Sequence, residues 1–319
     1  MNLLDLFSGI GGFHLGLERA GFKINSFNSE INKYANQVYK NNFKNSTYVG
    51  SVADVRGSDL PRINAITFGS PCQDFSLAGK QKGMGGERSS LILEAIRLVK
   101  ECRPDFFIWE NVKGTFSSNS GEDFAAILQA FTNIGGYRLE WQLLNTKWFL
   151  PQNRERVYLV GYTSNKSGGQ IFPITRESKG TIENNKINIG SARTRKYMNQ
   201  AQKLEIRNDN STNTLTSVQK DNYVLGYSRD RKGKVMSRHK KKLANTLHAS
   251  SGSGNNTDQF INSIRKLTPL ECERLQGFPD DWTKFGTEGL ISNTQRYKMC
   301  GNAVTVDVVE AVGKQILKL

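Results

Sequence analysis

The chain predicts an α/β fold built on an open, mostly parallel sheet, and three features carry that expectation. Short apolar runs at residues 1–7, 22–27, 64–68 and 105–110 have the length of buried strands, with helical spacing between several of them. The first run passes through a glycine-rich turn, Ser8-Gly9-Ile10-Gly11-Gly12, into a helical pattern. The second run ends in a carboxylate, Glu30, roughly 20 residues past those glycines, the spacing at which nucleotide-binding α/β folds hold a ribose.

Taken in order, residues 1–7 bury Leu3, Leu4 and Leu6, and the next helix runs to about residue 20, with Gly21 at its C-cap. A glycine turn at a helix N-terminus lets a ligand approach the backbone where negative charge is favoured, though a merely tight junction has the same look. After residues 64–68, Gly69, Pro71 and Gly79 break the chain into a loop that carries Cys72 at the strand exit, where open α/β sheets place their ligands. Alone, such a Cys is as readily a buried structural thiol. Residues 79–90 hold four Gly and the basic Lys80, Lys82 and Arg88, a composition that suits a loop closing over a phosphate backbone or a plain surface loop.

Leu91, Ile92, Ala95, Ile96 and Val99 have helical spacing, and Pro104 ends that helix. Residues 105–110 finish in Glu110, on the same ligand edge as Cys72. A helix over 124–134 is closed by Gly135-Gly136, and residues 137–144 and 156–161 form a hairpin-like strand pair. Arg154 and Arg156 alternate to one face of an extended chain, so both would reach one anion or one base edge; a solvated basic edge is the alternative. Thr268, Pro269 and Glu271 form a capping box that starts a helix ending near Gln276, and a last helix spans about 306–318.

From Thr163 the chain turns polar and basic. The whole chain of 319 residues carries a net charge of +15, and residues 165–264 hold 18 Lys and Arg against 7 Asp and Glu. That bias points to a polyanionic partner lying against this region, nucleic acid foremost. Two short patches echo each other there, Thr212-Asn-Thr-Leu215 and Ala244-Asn-Thr-Leu247. The four cysteines, Cys72, Cys102, Cys272 and Cys300, lack CxxC spacing, so neither a zinc site nor a disulfide framework is expected. With no apolar run of about 20 residues and no basic leader, the chain is expected in the cytoplasm.

Six stretches match one family in order: residues 5–12 (Asp-Leu-Phe-Ser-Gly-Ile-Gly-Gly), Pro71-Cys72-Gln73 with Phe75-Ser76, Glu110-Asn-Val112, residues 152–156 (Gln-Asn-Arg-Glu-Arg), residues 274–279 (Arg-Leu-Gln-Gly-Phe-Pro) and residues 301–304 (Gly-Asn-Ala-Val). The chain thereby resembles the cytosine-C5 DNA methyltransferases of bacteria and phages. The resemblance implies a Rossmann-like class I S-adenosylmethionine-dependent methyltransferase domain, residues 1–164 plus 291–319. A smaller DNA target-recognition domain with its hinge segment would be inserted at 165–290, and the final helix would pack beside the first strand.

The implied reaction moves a methyl group from S-adenosyl-L-methionine to C5 of a flipped-out cytosine in a specific short sequence of double-stranded DNA, yielding S-adenosyl-L-homocysteine and requiring no metal. The implied roles are Cys72 as nucleophile at C6, Glu110 at N3, and Arg156 with Arg154 orienting the base. The cofactor would lie against Phe7, Gly9, Gly11, Gly12, Glu30, Ile31, Asp54, Val55, Pro71, Asn302 and Val304. DNA would meet Gln73, Ser76, Lys80, Lys82, Arg88, Arg229, Arg231, Lys232, Arg238 and Thr246. The enzyme is expected to be a monomer with no membrane partner. Whether a cognate restriction endonuclease acts separately beside it stays open.

Rival chemistries fit poorly. A zinc nucleobase deaminase needs Pro-Cys-x-x-Cys and His-x-Glu, but Phe75 takes the second Cys position and Leu15-Gly16 come after His14. The Gly-x-Ser-x-Gly of hydrolases and the Pro-Pro-Tyr type loop of amino-directed DNA methyltransferases are missing. The tRNA-methylating branch of the same family shares the nucleophile loop, while the large basic insertion favours DNA.

Overall fold

The computed structural model describes residues 1–70, 91–163, 169–175, 190–193, 203–206, 211–215, 223–225 and 264–319. Seven strands among them form one sheet: β1 (Asn2–Leu6), β2 (Asn25–Ser29), β3 (Thr47–Tyr48), β4 (Ala65–Phe68), β5 (Phe106–Val112), β6 (Tyr137–Asn145) and β7 (Glu155–Thr163). The spatial order is β3-β2-β1-β4-β5-β7-β6. β3 through β5 run parallel, and β7 enters antiparallel between β5 and β6. Four of the five parallel strands and the hairpin-like pair are those the sequence predicts, with β2 at 25–29 where 22–27 is expected; the two-residue β3 goes beyond that reading.

Alternation along buried strands sends successive side chains to opposite faces. Leu4, Leu6, Ile66, Phe68, Phe107 and Trp109 face α3 (Leu91–Cys102) and α4 (Glu122–Thr132). Leu3, Ala65, Phe106 and Ile108 face α1 (Gly12–Ala20) and α7 (Val306–Ile316). The last helix thus returns to the first strand, as expected. Its close approach rests on glycine: a Cβ at Gly16 would lie 2.5 Å from that of Val309, and one at Gly313 would lie 2.7 Å from that of Ala20. Among the described residues no helix is long and apolar enough to cross a membrane.

Two helices go beyond the sequence reading, α2 (Lys33–Asn42) and α6 (Asn293–Asn302). Each has a side-chain N-cap, Asn32 accepting from the Ala35 N–H and Ser292 from that of Gln295. Each buries a thin apolar stripe, which hid them among Asn, Gln and Lys. Ala35 and Val38 of α2 pack with Ile10, Phe278, Ile291, Met299 and Val306. Residues 278–291 therefore lie against the first βα unit as well as against α6. The predicted capping box of α5 (Pro269–Leu275) is present, with Pro269 in its first turn.

Three of the motifs meet at a buried polar node. Gln152 donates to the Leu275 carbonyl (2.7 Å) and to Gln276 Oε1 (3.3 Å), and accepts the Leu215 N–H (3.0 Å). Gln276 donates to the Cys300 carbonyl (2.7 Å) and accepts from the Thr305 hydroxyl (2.9 Å). Neither glutamine reaches solvent. Replacing a buried amide by an isosteric hydrocarbon strands each partner at about 1–3 kcal/mol. Gln276→Leu is expected to lower unfolding free energy by about 3 kcal/mol or more in urea denaturation; a loss below about 1 kcal/mol would contradict the node's role.

Candidate active site

The parallel register decides what meets at the carboxyl edge of the sheet. Leu6 pairs with Ser29 of β2 and with Phe68 of β4, and Phe68 pairs with Trp109 of β5. One residue further along each strand stand Phe7, Glu30, Gly69 and Glu110, at a common level.

At the β1 end of this edge, Phe7, Gly9 and Gly11 all take positive φ (51, 54 and 85°) and turn β1 into α1. Gly11 has a second constraint, because a Cβ there would lie 2.3 Å from the Phe43 ring. The Glu30 carboxylate accepts the Gly9 N–H at 2.9 Å and the Asn32 N–H at 2.7 Å. Burial pushes its pKa up, and the backbone N–H groups of Asn32, Gly9 and Ile31 work against the rise. An ionised carboxylate has about four acceptor positions, so room remains for two hydroxyls. Beside it the apolar side chain of Ile31 is 81% exposed, and Asp54 also faces solvent. The Val55 side chain, by contrast, is in the core.

Val304 ties this end to the next. A Cβ at Gly12 would lie 2.6 Å from one Val304 methyl, and a Cβ at Gly69 would lie 4.0 Å from the other and 3.3 Å from Glu110 Oε2. Asn302, two residues earlier, is exposed at the end of α6. The structure thus brings Gly12, Gly69, Glu110 and Val304 together.

Glu110 is buried, and Arg156 Nε lies 3.1 Å from its Oε1, an ion pair whose alignment falls short of a hydrogen bond. The pair is diagonal across antiparallel strands, since Glu110 faces Tyr158 and Arg156 faces Val112. Arg156 Nη1 also donates to the Glu155 carbonyl at 2.8 Å.

Arg154 does not join it, which corrects the expectation that both arginines serve one face. The extended run breaks at Arg154, between the short strand Gln152–Asn153 and β7, so simple alternation fails there. Its guanidinium is buried and donates to the carbonyls of Gly301 (3.3 Å) and Ala303 (2.9 Å). It braces the segment that carries Val304.

The sequence reading missed Ser70 and assigned no role to Trp109 or Asn111. The Trp109 indole N–H donates to Ser70 Oγ (3.1 Å), and the Asn111 amide donates to the Ser70 carbonyl (3.0 Å) and Oγ (3.2 Å). Asn111 Oδ1 accepts in turn from Val112 N and Thr115 Oγ1. The chain is therefore pinned where it leaves β4. The clue in the sequence was Glu110-Asn-Val112 itself, whose middle residue holds the neighbouring motif. Pro71, Cys72, Gln73, Ser76, Lys80, Lys82, Arg88, Arg229, Arg231, Lys232, Arg238 and Thr246 lie outside the described residues.

Residues 1–318 match the profile of the family described as C-5 cytosine-specific DNA methylase. The chain belongs to that family. It is 30% identical over 325 positions to the type II methyltransferase M.Bsp6I of Bacillus sp. (strain RFL6), covering 100% of this chain and 99% of the relative. It is 33% identical to M.NgoBI of Neisseria gonorrhoeae (98% and 91% covered) and 28% identical to the orphan methyltransferase M.SPRI of Bacillus phage SPR (99% and 97%). Among solved structures, Dnmt2 of S. pombe superposes with a TM-score of 0.65 at 22% identity (100% and 98% covered). The Entamoeba histolytica methyltransferase EhMeth gives 0.68 at 19% over the same shares. Those two likenesses bear on the fold.

Beneath the glycine turn of this methylase lies a buried polar layer. Asp5 accepts from the Thr67 hydroxyl at 2.8 Å, and burial pushes its pKa up to about 8. His14 stacks on Phe43 with Nδ1 2.9 Å from the Tyr39 hydroxyl, and burial lowers its pKa to about 3. Between pH 3.8 and about 8 the native chain holds a proton on Asp5 that the unfolded chain has lost, so this group's contribution falls as pH rises, by up to about 1.4 kcal/mol per unit. His14 acts oppositely from about pH 6.5 down to 3, where only the unfolded chain gains the proton. The two offset each other below pH 6.5, and Asp5 dominates above it. The urea midpoint of the wild-type chain is expected to fall from pH 6.5 to 8, and that of Asp5→Asn to change markedly less; equal slopes would contradict a protonated Asp5.

Proposed function

We propose that the chain methylates C5 of a cytosine flipped out of a short, specific duplex DNA sequence, with S-adenosyl-L-methionine as donor. The observation that carries this reading is the common level of Glu30, Gly69 and Glu110, which sets a ribose-binding carboxylate, the root of the Cys72 loop and an acid–cation pair on one edge.

The nucleotide end suits the donor. Left-handed Gly9 and Gly11 bring no side chains of their own to the turn, Glu30 keeps acceptor positions for the ribose, and Ile31 offers an apolar surface to adenine. S-adenosylmethionine bound there supplies a methyl group on a positively charged sulfur, and S-adenosylhomocysteine remains once a carbon nucleophile has taken it.

Cytosine C5 needs activation first. In this reading the Cys72 thiolate bonds to C6, which moves electron density onto C5. Glu110 protonates or hydrogen-bonds N3 as charge builds there, with Arg156 holding the carboxylate in place. After C5 gains the methyl group, a base removes its proton, the C5–C6 double bond re-forms and the thiolate leaves. Only Pro71 separates Cys72 from the pinned Ser70, about 7 Å of chain at most. The described cysteines favour no other nucleophile: burial pushes Cys102 up to about 11 and Cys272 up to about 12, and holds Cys300 well above the usual thiol range. Residues 165–290 act in this account as the recognition domain and hinge, their basic excess meeting phosphates.

Duplex DNA in which 5-fluorocytosine replaces cytosine halts the cycle, because fluorine cannot leave as a proton does. Wild-type chain with donor is expected to form a denaturation-resistant adduct on this DNA, and none on a tRNA transcript carrying 5-fluorocytidine. Cys72→Ser is expected to bind DNA and form no adduct. Persistent adduct in Cys72→Ser would place the nucleophile elsewhere, and an adduct with tRNA alone would move the chain to the tRNA-methylating branch.

A further inference from the structure

The turn that carries Asp54 is clamped from behind by one cation. Asp54 N and Val55 N both donate to the Ser51 carbonyl, at 2.9 and 3.3 Å, which closes residues 51–55 into a tight turn. The side chains of Val52 and Val55 are buried in the core, while Ala53 and Asp54 face outward. The carbonyls of Val52 and Val55 would have no donor in this turn without Arg97 of α3. Its Nη2 donates to Val55 O at 2.9 Å and to Val52 O at 3.3 Å.

Arg97 is itself fixed. Nε donates to Glu94 at 2.7 Å, and Nη1 to both oxygens of Glu101 at 2.9 and 3.0 Å. Glu101 also accepts the Gly57 N–H at 2.8 Å, so the far side of the turn is tied to the same helix. Two carboxylates more than cancel the guanidinium charge, and Arg97 therefore acts on the turn through geometry and not by attracting an anion. Only a planar fork reaches two carbonyls and two carboxylates at once, which the single ammonium of Lys cannot do.

We propose that Arg97 is a positioning residue that sets selectivity for the 6-amino group of the donor's adenine, by holding the Ser51–Val55 turn and with it the Asp54 carboxylate. This rests on the reading of Asp54 at the adenine edge. A fixed carboxylate accepts a hydrogen bond from an amine at C6 and repels a carbonyl oxygen there. A hydrogen bond to a charged group corresponds to about 10- to 100-fold in affinity. A carboxylate on a loosened turn swings away from either group and loses that discrimination.

The placement makes the variant tractable. An open cleft of about 670 Å³ lies between the turn and α3 and is lined by Ala53, Gly57 and Arg97, so water can fill the space left by a shorter side chain.

The test is calorimetric titration of the full chain with S-adenosylhomocysteine and with its 6-oxo counterpart, S-inosylhomocysteine. Wild type is expected to prefer the amino compound by about 10- to 100-fold. Arg97→Gln and Arg97→Lys are expected to lose most of that preference, on the order of tenfold, with circular dichroism and melting showing a folded chain. A variant that is simply less stable would keep the ratio, since the two ligands differ only at C6 and in the proton that the oxo form carries on N1. Should Arg97→Gln not fold, Glu101→Gln loosens both Arg97 and the Gly57 N–H and reads the same ratio. A ratio unchanged in folded variants overturns the role of Arg97 and leaves the donor site intact. Equal affinities in wild type overturn it by removing Asp54 from the adenine edge, and binding of neither compound overturns the donor reading itself.

Discussion

The register of the parallel strands is the constraint on which the site depends. A parallel sheet ends its strands on one edge, and pairing Leu6 with Ser29 and Phe68, then Phe68 with Trp109, fixes which residues stand at the level one step past β1, β2 and β4, with Glu110 of the longer β5 beside them. A one-residue slip in any pair would turn that strand's side chains to the other face, driving residues such as Phe107 and Trp109 out of the layer they fill and into the one packed around α1 and α7. Hydrophobic burial thus enforces the alignment of Glu30, Gly69 and Glu110. The polar groups at the edge contribute little to holding it.

The C-terminal segment completes what the sheet starts. Helix α7 packs on α1 through Gly16 and Gly313, and just before it Val304 sits against both Gly12 and Gly69. Arg154, Gln276 and Thr305 fix this segment through backbone carbonyls and buried amides. Such contacts are costly to break one at a time, because each leaves a buried partner unpaired. Residues far apart in the chain therefore behave as one rigid wall between the glycine turn and the acid–cation pair.

Strong apolar periodicity made most of the fold readable. β1, β4, β5, α3 and α4 bury wide hydrophobic faces, and the capping box of α5 is a local signal. α2 and α6 were not readable in this way, since their stripes are thin and only tertiary packing makes them helices. The direction of Arg154 was illegible because it depends on a one-residue break in an extended run. Ser70 held by Asn111, and the Val55 carbonyl held by Arg97, join residues about 40 apart through side chain and backbone, and no periodicity reports such bonds. Residue types at motif positions marked Glu30 and Glu110; their support came from the fold.

The central claim, that strand register builds a single donor-and-base edge, is tested most directly by a crystal structure of the chain with S-adenosylhomocysteine. The ribose hydroxyls are expected within hydrogen-bonding distance of the Glu30 carboxylate, with the sulfur turned toward Glu110 and Arg156. A nucleoside bound away from the carboxyl ends of β1 and β2, or a sulfur facing away from Glu110, would contradict the account.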